Sequence, residues 1–192
     1  MKATTLLAWA ALVGVVVALW TWPPTARFMV GRLQNNVGYA YQHGIGIARD
    51  VPTAIDWYTR SAAHGDTAAA TNLGFLYQSG DGAPPNPRLA ARWYAQAASG
   101  GSAEAANNLA ALYMDGSLGQ ADLVTARTWL LRARALATGE LATTIQGNLE
   151  RAEHAMSSAE IARSDAAGHA DPSANDPGAA GHGGGAKSAR QP

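Results

Sequence analysis

Apolar side chains in the middle of the chain recur at helical spacing. Leu73, Leu76 and Tyr77 form an i, i+3, i+4 stripe, and Leu89, Trp93 and Ala97 continue at i+4 spacing after a loop. This predicts two amphipathic helices, over residues 68–79 and 88–99, divided by a loop holding Gly80, Gly82 and three prolines. The same block occurs before and after. Trp57, Trp93 and Trp129 stand 36 residues apart, as do Tyr41, Tyr77 and Tyr113, and so do Gly44, Gly80 and Gly116. Ala54, Ala90 and Ala126 fall into the same register, as do Asn36, Asn72 and Asn108. A period of about 20 to 50 residues marks a solenoid array of stacked units. Three helix pairs are expected.

The loop residues have a mechanical reading. A glycine after the last periodic tyrosine can adopt the left-handed conformation that ends a helix. Pro52, and the Pro84, Pro85, Pro87 cluster, stop the first helix and preset the start of the second. Small residues at Gly38, Gly74 and Ala110 on one helix, and at Ala62 and Ala98 on the other, let paired helices approach closely around tryptophan and tyrosine. The Trp-Tyr pairs are expected in the core.

The unit reads Asn-Leu-Gly-x-x-Tyr-x-x-Gly-x-Gly and then Trp-Tyr-x-x-Ala-Ala-x-x-Gly, as in residues 72–82 and 93–101. Over residues 31–137 this resembles the Sel-one-like repeat, a relative of the tetratricopeptide repeat. The resemblance implies an all-α, right-handed α-solenoid of three helix-pair repeats. The third unit departs at Ala110, Leu118 and Leu130, which replace the glycine, the second loop glycine and the tyrosine after tryptophan. A terminal unit is expected to be atypical because it closes the stack.

Leu141, Ile145, Leu149, Ala152, Met156 and Ala159 recur every three or four residues, predicting one capping helix from about Glu140 to Arg163 within a segment 138–163. From Ser164 to Pro192 the chain contains no Leu, Ile, Val, Met, Phe, Tyr or Trp. Such a segment cannot bury enough apolar surface to offset its ordering entropy, so residues 164–192 are expected to form a disordered tail.

Residues 1–26 carry a different signal. Ala3 to Trp22 is an uncharged stretch of 20 residues after Lys2, and a helix of that length spans about 30 Å, the hydrocarbon thickness of a bilayer. Trp20 and Trp22 suit the headgroup region, and Pro23-Pro24 ends the segment. A transmembrane helix at residues 3–22 is expected, retained as an anchor. Cleavage is the other reading, and it would place Pro24 at the −3 position of a site after Ala26. A short N-terminal flank inserts most simply with its start in the cytoplasm, so the expected location is single-pass in an inner membrane with the repeats in a periplasm.

Composition removes several classes of function. The chain has no cysteine, so disulfides, thiol catalysis and cysteine-based metal sites are excluded. With 14 basic and 14 acidic residues and no basic run, it lacks the electrostatic footprint of a nucleic-acid binder. No metal, cofactor or small-molecule substrate is indicated, because no zinc-protease, nucleophile-elbow, phosphate-loop or calcium-loop motif occurs. Gly44-Ile45-Gly46 and Gly80-Asp81-Gly82 follow helices and repeat with the unit, so helix termination explains them. Glu150, Glu153 and His154 cluster on the capping segment and read as a solvated polar face; His169 and His182 read as loop histidines. His43 and His64 fall at helix ends.

One periodic polar position remains. Asn36, Asn72 and Asn108 form a ladder at one position of every first helix, and Gln42 and Gln78 repeat beside the tyrosines. An amide donates and accepts at once, so it can pair with a peptide backbone or with a neighbouring helix inside the stack. Tetratricopeptide arrays use such amides on a concave face, and the resemblance implies the same here. The expected function is a non-catalytic, membrane-anchored adaptor or assembly factor binding a protein or peptide partner of the cell envelope. The alternatives are a hydrolase of cell wall or β-lactams, an activity attributed to cysteine-rich relatives, and a self-associating structural protein.

Overall fold

The structure, a computed structural model, describes residues 24–167, which form eight α-helices and no strand. Three consecutive pairs come first: α1 (Pro24–His43) with α2 (Val51–Ala63), α3 (Thr67–Ser79) with α4 (Pro87–Ser99), and α5 (Ala103–Met114) with α6 (Leu123–Leu136). They are followed by α7 (Gly139–Ala155) and α8 (Ser158–Ala167). Each second helix packs against its own first helix and against the first helix of the next pair, so the pairs stack in chain order.

Local sequence sets the helix ends. The carboxylate or amide oxygens of Asp50, Asn86 and Asp122, themselves 36 residues apart, accept the backbone N–H three residues on, from Thr53, Leu89 and Thr125 at 3.0–3.1 Å. Asp66 caps α3 and Ser102 caps α5 in the same manner. Each such cap contributes about 1 kcal/mol. The loops between paired helices close identically, because the N–H of Asp50, Asn86 and Asp122 donates to the carbonyl of Tyr41, Tyr77 and Tyr113 at 2.7–2.9 Å. The turn out of α3 requires a left-handed residue, and Gly80 supplies it at φ +78° while its N–H bonds Leu76 O.

The core is alanine-rich. Ala54, Ala90 and Ala126 are fully buried, with Leu73, Leu76, Leu109 and Leu112 between the pairs. The Trp-Tyr expectation divides here. Tyr58 and Tyr94 are fully buried and Trp129 nearly so, but Trp57 and Trp93 are only half-buried. Identical spacing fixes the face of the helix, and the neighbour on that face decides burial.

Two boundaries are corrected. The capping segment is not one helix: Met156 is extended at φ −97°, ψ 146°, ending α7, and α8 starts two residues later and packs back on α6. The ordered region also does not end at Arg163, because α8 runs to Ala167 and Ser164 is fully buried. Among the described residues no helix is long and apolar enough to cross a membrane. The segment expected to do so, residues 3–22, lies outside the described residues, as does most of the expected tail.

Candidate functional site

The first helices share one outward face. On α1 it carries Arg32, Asn36, Tyr39 and His43, and on α3 Ala68, Asn72, Phe75 and Ser79. These positions follow the i, i+4, i+7, i+11 course of one helical stripe. The corresponding stripe of α5 is Glu104, Asn108, Ala111 and Asp115. The buried opposite side holds Gly31 and Gly38 on α1 and Gly74 on α3, so packing against the second helices turns the asparagine row outward.

The asparagines do not all stand alike. Asn36 is exposed, whereas Asn72 and Asn108 are half-buried. Asn72 Nδ2 donates to Asn35 Oδ1 at 3.3 Å, linking α3 to α1. The last first-position helix repeats that link, since Asn148 Nδ2 on α7 donates to Asn107 Oδ1 on α5 at 2.7 Å. Asn148 also accepts a bond from Arg151. A search at a period of 36 misses Asn148, which lies 40 residues after Asn108. The signal that finds it is the dipeptide Asn148-Leu149, which echoes Asn72-Leu73 and Asn108-Leu109.

Beside this row lie two exposed aromatic rings in repeat register, Tyr39 and Phe75, 48% and 53% accessible. Tyr39 also lies against His43, with ring centroids 4.3 Å apart. The face therefore combines amides that can donate and accept with apolar rings left in water. Its third unit has Ala111 at the aromatic position.

Gln42 and Gln78 lie elsewhere. Each accepts a bond within its own helix pair: Tyr58 Oη donates to Gln42 Oε1 and Tyr94 Oη to Gln78 Oε1, both at 2.7 Å. Burial pushes both tyrosine hydroxyls well above the ordinary range, so both remain neutral donors. The tyrosine rings lie over a glycine: a Cβ at Gly38 would meet the Tyr58 ring at 2.8 Å, and one at Gly74 would overlap the Tyr94 ring. The third pair replaces all three members together, with Ala110 for glycine, Leu130 for tyrosine and Met114 for glutamine. A leucine needs no hydrogen-bond acceptor and leaves room for the alanine methyl group, so the three departures are one packing change.

The acidic cluster at the end of the stack also takes a structural place. Arg127, 8% exposed, sits one period after the buried Ala91. Its Nε donates to Glu153 at 2.8 Å, and its Nη1 donates to Ser164 Oγ at 3.0 Å and to Asp165 at 2.7 Å. One guanidinium thus ties α6, α7 and α8 together. Glu150 accepts a bond from Gln146 at 3.0 Å. Among the described residues no three His, Asp or Glu side chains gather into a group able to hold a metal ion. His64 occupies the C-cap of α2.

A family model described as the Sel1 repeat matches residues 32–66, 67–102 and 103–137, which together make up more than half of the chain. The chain belongs to the Sel1-repeat family. Those three Sel1 units coincide with the helix pairs, and their two seams fall at the capping residues Asp66 and Ser102. Among solved structures, a Sel1 repeat protein from Oxalobacter formigenes is similar, at 28% identity and a TM-score of 0.56, over 77% of this chain and 63% of that one. A protective antigen present in uropathogenic Escherichia coli strains, displaying the same type of fold, matches at 21% identity and a TM-score of 0.64, over 84% of this chain and 35% of that one. This chain therefore spans less than two thirds of either. No curated protein matches. Sel1 repeats generally mediate protein–protein interaction.

Proposed function

We propose that this Sel1-repeat chain is a non-catalytic adaptor that binds an extended protein segment across the outward face of its first helices. The single observation that carries the reading is the placement of Asn36 with Tyr39 and Asn72 with Phe75 on that face, where two large rings stand in water in repeat register. Exposed aromatic side chains beside convergent amides are the anchors from which protein interfaces draw most of their energy. Asn36, Asn72 and Asn108 serve the peptide backbone, and Tyr39 and Phe75 take apolar side chains. Gln42 and Gln78 lie off this face and act through the tyrosines they hold.

The uncharged stretch Ala3–Trp22 supports a further part of the proposal, that the repeats are tethered to a membrane, on the outer side of a bacterial inner membrane. The partner is then a component of the cell envelope.

Affinity purification of the tagged full chain in mild detergent, beside a variant carrying Tyr39→Ala and Phe75→Ala, tests the binding face. Both side chains are half exposed, so the variant keeps its fold, which circular dichroism checks. Loss of a reproducible partner from the folded variant is the expected result. Equal recovery of that partner by both chains would remove this face from the interaction.

A further inference from the structure

The three repeats make the same use of one helical position, except at the start of the stack. On α3 the stripe that meets the preceding pair holds Ala69 and Leu73, and on α5 it holds Ala105 and Leu109, all four fully buried. The corresponding residues of α1 are Leu33 and Val37, preceded one turn earlier by Met29 where the later units have Gly65 and Gly101. Met29, Leu33 and Val37 lie at i, i+4, i+8 on one face, and they are 60%, 65% and 36% exposed. No element of the described residues covers them. The ends of a repeat array ordinarily carry polar outer faces, so three apolar side chains here mark a surface with an occupant.

Three features indicate what the occupant is. The inter-repeat face is built for close helix contact, with alanine or glycine where α1 has leucine and methionine, so the bulk at Leu33 and Met29 does not suit another stacked helix pair. The opposite end of the stack offers no matching surface either: the outer residues of α7 include Thr143, Gln146, Glu150 and His154, all exposed and polar. Finally, α1 begins two residues after the uncharged stretch Ala3–Trp22, and Arg27 and Arg32 flank the apolar stripe. No acidic residue precedes Asp50. An apolar helical face bordered by cations and free of anions fits the boundary between lipid headgroups and acyl chains.

We propose that α1 lies on the membrane surface, with Met29, Leu33 and Val37 in contact with lipid, so that the solenoid stands with its first repeat on the bilayer and its α7 end away from it. This rests on the membrane-tether reading above and goes beyond it, since a tether alone would leave α1 in water.

The absence of cysteine makes the test direct. The full chain is prepared as Leu33→Cys, Phe75→Cys and Gln146→Cys, each labelled with an environment-sensitive fluorophore and reconstituted into vesicles of phosphatidylcholine with phosphatidylglycerol. Two quenchers are compared: nitroxide-labelled lipid, and iodide in the buffer. The label at position 33 is expected to be quenched by the lipid nitroxide and shielded from iodide at least several-fold relative to the other two. Equal iodide quenching at all three positions would overturn the proposal. So would a position 33 shielded from both quenchers, because a second copy or another protein segment would then cover the stripe. Vesicle flotation separates the two readings: a chain that fails to float with lipid overturns the tether itself, whereas a chain that floats with position 33 in water overturns only the placement of α1.

Discussion

Tyr94 donates its phenolic hydrogen to Gln78 across the second helix pair at 2.7 Å, and the tyrosine ring reaches that acceptor by passing over Gly74, where no side chain stands in the way. The bond joins the two helices of one unit, and Tyr58 with Gln42 repeats it in the first. Glycine, tyrosine and glutamine form one device, and the third unit drops the device as a whole.

Gly74→Ala is therefore expected to destabilise the chain by about 1–3 kcal/mol through overpacking against Tyr94. The triple change Gly74→Ala, Gln78→Met and Tyr94→Leu installs the third unit's combination and is expected to cost much less than the three single losses added together. Denaturant unfolding of the four variants measures this. Additive losses would show that the three positions pack independently.

Trp93 and Trp129 share a repeat position but not an environment. Trp129 is 1% exposed, and its truncation to alanine is expected to cost about 3–5 kcal/mol. Trp93 is half-buried, and its indole Nε1 is buried without a hydrogen-bond partner. Trp93→Ala should cost clearly less, and Trp93→Phe, which removes the unpaired donor, should be close to neutral. Equal losses at positions 93 and 129 in thermal melts would contradict the difference in packing.

A chain ending at Arg163 loses two partners of Arg127, Ser164 and Asp165, and is expected to melt below a chain ending at Ala167. Hydrogen bonds to charged groups are worth about 1.5–3 kcal/mol, so a fall of several degrees is the expected scale. Arg127→Leu in the shortened chain should recover part of the loss, because it removes the buried cation and leaves Glu153, about a third exposed, to water. Identical melting of the two truncations would show that α8 is not held by this contact.

Burial raises the hydroxyl pKa of Tyr58 and Tyr94, with a definite consequence at high pH. The unfolded tyrosines ionise from about pH 10, while the folded ones stay protonated, so unfolding releases protons and stability falls as pH rises above that value. Each tyrosine contributes a slope of up to about 1.4 kcal/mol per pH unit there. Melting temperatures from pH 8 to 11 should drop beyond pH 10, and less steeply in the Tyr58→Phe, Tyr94→Phe variant. An unchanged slope would assign the alkaline loss to other groups.

Much of the local structure was legible in the sequence. The 36-residue period, the helix pairs and the glycine that ends α3 follow from side chains acting on their own backbone within a few residues, so spacing alone places them. The face of each first helix that carries the asparagines was equally fixed by periodicity. What periodicity cannot contain is the identity of the neighbour on each face. Gln42 and Gln78 repeat like binding residues and are drawn to tyrosines on the paired helix; Trp93 repeats like Trp129 and is left half in water. Glu153, read from sequence as part of a solvated face, meets Arg127 from another helix, and the same arginine pulls α8 back onto α6 and carries the ordered region past Ser164. Burial and ion pairing depend on groups brought close by stacking, as Arg127 and Asp165 are across 38 residues of chain, and only the tertiary structure decides them.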